Sequence, residues 1–403
     1  MTMNQEPDIH RNHNVYILGA GFSRPAGLPI IKDFLDYMRE SVNWLASSGR
    51  NKELAAVKKV FQLRLRAAGA AHRMRIDPEN IEELFSLASA HEDRTNRFDG
   101  FPEANQDYVS LAIAATLDYA GQKGRIPQYM MLIKNSSEFQ ELLSTPKLNW
   151  IFYNESSSQS KPGQHFYLPV YDFYAGLFSG NWCRQVEEIR NTVITFNYDT
   201  LLENSLSRLD IPFTYSLPMA GDSIKTEGRL PVLKLHGSVN WVFQDCAGEG
   251  PNEDILTMVP YDSYEDIIKN EDEPFLLPPT WRKVFSGTLA GIWNQSVKAI
   301  AEATRIIVVG FSLPPTDIHF RYLLAAGLQE NISLRDFIVV NLAKPGQEGA
   351  IKQNFEQIFQ PHFSNRIKWE FDGVQQTFRR THFLDLIERG LDESRFGTDI
   401  GAY

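Results

Sequence analysis

Several short clusters in this chain carry residue types suited to handling a nucleotide. The first is Gly19-Ala20-Gly21-Phe22-Ser23, which follows the apolar run 15–18. Two glycines one residue apart let a backbone approach phosphates closely, and the amides after them can point at an anion. A tight strand-to-helix turn has the same composition, so the pentapeptide alone leaves both readings open. A dehydrogenase fingerprint would place a third glycine three residues on, where this chain has Arg24, and the next glycine is Gly27. No clear strand ending in an acid follows about 20 residues later, as that fingerprint also requires. Hydride transfer is therefore disfavoured.

Phe196-Asn197-Tyr198-Asp199 ends a second apolar run. Asn197 can donate and accept, while Asp199 can accept from a ribose hydroxyl or balance positive charge. Both types also cap helices, and residues 201–209 have a helical pattern, so capping stands beside the functional reading. His236 ends a third run and precedes Gly237 and Ser238. A neutral histidine accepts a proton near neutral pH, although a histidine satisfied within the core fits the position too. Gly310-Phe311-Ser312 closes the most apolar run, ahead of Pro314-Pro315, and Asn341 follows the run 337–340. Five such clusters, all at the carboxyl ends of strands, are hard to explain as independent turns.

The elements that must position these residues are six strands, at 15–18, 192–196, 231–235, 305–309, 337–340 and 367–371. Continuous apolar runs alternating with helices predict an α/β fold: a Rossmann-like parallel sheet with helices on both faces. Helices are expected at 201–209, 295–303, 317–328, 349–359 and 375–391, with Thr316 or Asp317 capping the third. The interval 31–191 is far longer than a crossover needs, and its patterns at 52–68, 78–91 and 108–120 are helical. It reads as a large helical insertion. The expected organisation is a discontinuous nucleotide-binding domain, 1–30 with 192–403, around an inserted subdomain at 31–191. Segments 154–164 and 248–254 read as loops.

Composition narrows the function classes. The chain has 403 residues, is 43% hydrophobic and carries a formal net charge of -10. An acidic surface disfavours direct nucleic-acid binding. The one basic stretch, 58–75, reads as a solvated or interface helix, since Arg64 and Arg66 cannot share a face. Cys183 and Cys246 are too few for a disulfide framework or a four-thiolate zinc site, and no His-x-x-x-His pair occurs, so no metal is expected. The first fourteen residues have no apolar signal core, and no apolar run approaches the ~18 residues of a membrane span. The expectation is a cytoplasmic protein without membrane contact.

In this order, the clusters resemble the sirtuin-like domain, and more closely its bacterial antiphage-defence branch. The match runs through Gly19-Ala20-Gly21-Phe22-Ser23, Phe196-Asn197-Tyr198-Asp199, Leu235-His236-Gly237-Ser238, Gly310-Phe311-Ser312 and Asn341. Two departures separate the chain from the protein deacylases of that family. Phe196 stands where they carry glutamine, and their four zinc cysteines are absent. The resemblance implies NAD as substrate, cleaved to nicotinamide and ADP-ribose. It further implies Asn197, His236 and Asp199 as the catalytic group. The loop Gly19 to Ser23 with Gly310, Phe311 and Ser312 would hold the diphosphate and adjacent ribose, with Asn341 near the adenosine. It also implies a homo-oligomer and a partner protein such as a HerA-like ATPase or a short Argonaute. A non-catalytic NAD or ADP-ribose sensor, and a deacylase or ADP-ribosyltransferase, remain as alternatives.

Overall fold

A computed structural model describes residues 12–73, 75–89, 106–123, 129–133, 165–180, 190–217, 228–247, 254–279, 288–313, 317–343, 346 and 348–373. The loop expected at 154–164, the closing helix 375–391 and Cys183 lie outside the described residues, as does the loop expected at 248–254 except for Asp254, which begins a strand.

Seven strands form one sheet. They are β1 (His13–Leu18), β4 (Arg190–Thr195), β5 (Phe213–Thr214), β6 (Leu230–Lys234), β9 (Arg305–Val309), β10 (Asp336–Val340) and β11 (Lys368–Glu370). Their order is β11-β10-β9-β1-β4-β6-β5, and every pairing is parallel. All residues of β1 and β9 are buried, because helices cover both faces of the central strands and no polar face is needed. Six strands follow the expected runs within two residues. The seventh, β5, is two residues long and has too little sequence to show a pattern. The chain builds outward from β1 to β4 and the edge strand β5, steps back to β6 between them, then crosses to β9 and continues through β10 to β11. Connections after β1 and β9 thus leave in opposite directions, which opens a crevice at their carboxyl ends.

Four helices of the interval after β1 form a layer of their own: α2 (Phe34–Ser47), α3 (Asn51–Ala71), α4 (Ile81–Ser89) and α5 (Gln106–Lys123). Met38, Val57, Val60, Leu84, Ala112 and Ile113 make their core. Arg50 pins this layer, bonding Glu53 and Asp118 while its guanidinium lies over the rings of Trp44 and Tyr264. Arg64 pairs with Glu79, as suits a solvated helix face. The same interval also holds a short antiparallel pair, β2 (Tyr129–Ile133) with β3 (His165–Pro169).

The helix α6 (Val170–Phe178), late in that interval, packs on the sheet, where Phe173, Tyr174 and Phe178 join Tyr16 and Phe22 in the main core. Conversely, Val239, Val242, Tyr264, Ile267 and Leu276, from beyond β6, complete the helical core. Val242 lies on β7 (Trp241–Ala247), paired with β8 (Asp254–Pro260), and Tyr264 opens α8 (Tyr264–Lys269). The helical layer and the sheet therefore exchange side chains. Four further helices flank the sheet: α7 (Leu201–Arg208), α9 (Thr288–Ala301), α10 (Ile318–Leu328) and α11 (Glu348–Glu356). Asp317 caps α10, accepting from the Phe320 amide. No helix among the described residues is long and apolar enough to cross a membrane.

Candidate functional site

Strand register places all five clusters on one edge. Leu18 pairs with Val309 and with Thr195, Val309 pairs with Val340, and Thr195 pairs with Lys234. Gly19, Gly310, Asn341, Asn197 and His236 each lie one or two residues beyond that row. Five neighbouring strands at about 4.8 Å spacing give an edge roughly 19 Å long. Its middle is the crevice between β1 and β9.

Glycine is required at that crevice because two backbones meet there. The Gly19 amide donates to the Val309 carbonyl at 2.9 Å and the Gly21 amide to the Gly310 carbonyl at 2.8 Å. A Cβ on Gly19 would lie 2.6 Å from the Phe311 ring, and one on Gly310 would lie 2.2 Å from the Phe22 nitrogen. Gly310 also has φ +63, where side chains are strained. Much of the glycine demand thus comes from packing between strand ends. Residues 20–23 form a single helical turn, α1 (Ala20–Ser23), rather than an open loop. The Tyr171 hydroxyl holds it through the Phe22 carbonyl at 2.8 Å, and burial pushes that phenol well above its ordinary range.

Ser23 links the first cluster to the second. Its hydroxyl donates to Asp199 Oδ2 at 2.7 Å and accepts from Asn197 Nδ2 at 3.0 Å. The second Nδ2 hydrogen of Asn197 goes to the Gly19 carbonyl at 2.9 Å. Both hydrogens of that amide are therefore committed, and Oδ1 is the atom left to accept from a ligand. Ser23 is only 2% exposed, so its hydroxyl acts inside the frame, whereas Ser312 is exposed. Asp199 is half-buried, and its Oδ1 accepts from the Leu201 amide at 3.1 Å. The helix-start reading of Asp199 thus occupies one carboxylate oxygen, and Ser23 occupies the other.

His236 is buried and lies against both residues that flank Asn197. Its ring is 5.1 Å from the Phe196 ring, edge to face, and 6.2 Å from that of Tyr198. Phe196 stacks on Phe311 at 5.1 Å and 7°, and Phe320 of α10 meets both. These rings make an apolar wall between the β4 and β9 strand ends. On the other side, segment 275–277 crosses the turn after β6. Leu277 donates to the His236 carbonyl at 2.8 Å, and the Tyr198 hydroxyl donates to the Leu277 carbonyl at 2.6 Å. Ser110 of α5 bonds Leu276, which ties the helical layer to this wall. Asn341 Oδ1 accepts from the Leu342 amide at 2.9 Å, while its buried Nδ2 has no partner among the described residues.

Sequence reasoning missed Phe320, Tyr171, segment 275–277 and the buried pair Lys234–Glu203. Only the last left a clear signal, a lysine inside the run Leu-Pro-Val-Leu-Lys-Leu. Phe196 stood in the second cluster and marked a departure from the deacylase pattern, but its stacking partner was not legible.

The family described as SIR2-like domain matches residues 191–359, less than half of the chain. That stretch holds the ends of β4, β6, β9 and β10 but not the first cluster. Among solved structures, the chain aligns with a Sir2 enzyme described for its mechanism and regulation at 14% identity and TM-score 0.37, covering 94% of each chain. It aligns with Sir2Tm bound to a propionylated peptide at 13% identity and TM-score 0.33, covering 94% and 92%. A Sir2 with a p53 peptide and NAD+ aligns at 15% identity and TM-score 0.32, covering 94% and 95%. Scores this low carry no argument on activity, and the fold assignment rests on the strand order itself. No curated protein matches the chain.

Proposed function

We propose that this chain is an NAD glycohydrolase, releasing nicotinamide and ADP-ribose. The observation that carries the reading is the single row of strand ends: Gly310 and Gly19 at the crevice, Asn197 and His236 beside it. The SIR2-like match over residues 191–359 supports a nucleotide of the NAD type. The residues fit such a ligand in two further respects. The row is long enough for a dinucleotide lying across the sheet edge. At one end of it, buried Asn341 Nδ2 lacks an acceptor among the described residues and suits a ribose or base.

NAD brings a cationic nicotinamide that leaves without being protonated, so the protein needs no acid for the leaving group. His236 takes a proton from the attacking water, and the Asn197 Oδ1 accepts the water's other hydrogen. Asp199, held by Ser23, places a negative charge beside the ribose carbon that becomes electron-poor. The wall of Phe196, Phe311 and Phe320 excludes bulk water and strengthens that charge effect. Exposed Ser312 and the rim of α1 border the diphosphate. Overall, NAD and one water give nicotinamide, ADP-ribose and one proton.

The test is chromatographic product analysis of NAD with purified chain, alone and with a co-expressed neighbouring protein, using His236→Ala as control. Loss of a general base lowers turnover by about 10²- to 10⁴-fold. Nicotinamide release by His236→Ala at the parent rate would sink the assignment. The reading extends to the cell: an enzyme that empties the NAD pool suits an antiphage effector, silent until a homo-oligomer or a HerA-like ATPase or short Argonaute partner releases it. This extension rests on the resemblance to the defence branch.

A second reading has its own observation. The Gly19 and Gly21 amides, the Ser23 hydroxyl and the Asn197 amide hydrogens are all committed internally, as in a rigid binding module. That reading requires saturable NAD or ADP-ribose binding with no nicotinamide under any condition. Release that depends on an acetylated peptide or an acceptor protein would instead point to a deacylase or ADP-ribosyltransferase.

A further inference from the structure

Lys234 ends β6 with its side chain fully buried, at 0% exposure. Its Nζ donates to Glu203 Oε1 at 2.7 Å and to the backbone carbonyl of Asp199. Glu203 is in the first turn of α7, 6% exposed, and burial raises its carboxyl against the lowering pull of Lys234. The hydroxyl of buried Tyr215 neighbours both Glu203 and Asn240. A buried ion pair gives up hydration that apolar side chains of equal volume would not lose, so stability alone does not account for it. What the pair does fix is geometry.

The tether joins two neighbouring strand ends. Two residues after Lys234, in the turn that directly follows β6, comes His236. The carbonyl that Lys234 grips belongs to Asp199, in the turn that also carries Asn197. That turn is held by Ser23 and Gly19 of the first cluster and by Lys234 of β6. Its ammonium also lies between two carboxylate-bearing residues, Asp199 and Glu203, and offsets their repulsion. We propose that Lys234, oriented by Glu203, is the positioning residue that sets His236 relative to the Asn197–Asp199 turn. Lys234 itself touches no substrate. The role rests on the reading of these residues as the NAD-cleaving group.

The experiment compares the full chain with Lys234→Met/Glu203→Leu, which replaces the pair by apolar side chains, and with Glu203→Gln, whose amide oxygen still accepts from Lys234. Three quantities are measured: melting temperature, the kcat and KM of nicotinamide release, and amide hydrogen exchange across 197–201. The double variant should melt at or above the parent temperature and keep its KM. Its kcat should fall about 10- to 100-fold, as expected for a misplaced catalytic group. Exchange at 197–201 should accelerate while β1 and β9 stay protected. Glu203→Gln should retain most turnover. Parent-like kcat and exchange in the double variant overturn the proposal, as does a Glu203→Gln variant equally impaired. If the double variant does not fold, Lys234→Met/Glu203→Gln, which also removes both charges and the Lys234 tether, provides the same comparison. If the parent chain releases no nicotinamide even when activated, the NAD reading fails, and the exchange data alone still decide whether Lys234 holds the turn.

Discussion

Two serines in the motifs have opposite surroundings, and that difference is testable. Ser23 is buried between Asn197 and Asp199, donating to one and accepting from the other. Ser23→Ala leaves a carboxylate oxygen and an amide hydrogen without partners, at a cost of about 1–3 kcal/mol. It should lower the urea midpoint and, by loosening Asp199, the rate of nicotinamide release. Ser312 is exposed, so Ser312→Ala should change stability by less than about 0.5 kcal/mol. If Ser312 borders the diphosphate, only NAD affinity should weaken. Urea titration with calorimetric NAD binding separates the two, and equal loss of stability in both variants would contradict the distinction. The sequence placed both serines in one phosphate-binding class, because hydroxyl type and spacing say nothing of which hydroxyl is turned inward.

Glycines behave similarly at the scale of elements. Gly310 ends β9 with φ +63 and with the Phe22 nitrogen 2.2 Å from where a Cβ would be. Gly310→Ala should therefore push α1 away from the crevice and destabilise the protein by at least about 1 kcal/mol. Gly291 lies inside α9 with nothing within 4 Å of a Cβ position, and Gly291→Ala should add about 0.5–1 kcal/mol by helix propensity. Thermal melts of the two variants should shift in opposite directions. The contrast marks what was legible. Strands β1, β4, β6, β9 and β10 were readable because burial on both faces gives each an uninterrupted apolar stretch. The positions of Gly19, Asn197, His236, Gly310 and Asn341 at their ends followed from that. The use of Gly19, Gly21 and Gly310 to bring β1 and β9 together was not readable, since glycine satisfies a phosphate and a neighbouring backbone equally. The placement of α6 on the sheet was hidden too, because an apolar helix does not announce which core it joins.

At the scale of the whole molecule, the sheet has a polar lock at the end opposite the site. His13, 2% exposed, begins β1; its amide donates to Thr304 Oγ1 at 2.9 Å and its Nε2 is 3.0 Å from Thr192 Oγ1. These contacts join β1 to β4 and to the approach of β9, the three strands around the crevice. Burial is the main cause of a histidine pKa lowered to about 3, with the nearby Arg190 charge adding to it. The folded protein therefore leaves His13 unprotonated where the unfolded chain, titrating near 6.5, takes up a proton. Between those two values the unfolded state binds more protons, so stability is full above pH 6.5 and declines as pH falls toward 3. One site contributes a slope of at most about 1.4 kcal/mol per pH unit, or about 2 kcal/mol between pH 7 and pH 5. His13→Phe, with no proton to gain, should flatten the stability profile by that amount across this interval, before most carboxylates titrate. Urea unfolding of both proteins at pH 7, 6 and 5 measures the difference directly. Parallel profiles would mean that His13 is protonated in the fold, and that the sheet's closed end is wetter than its packing implies.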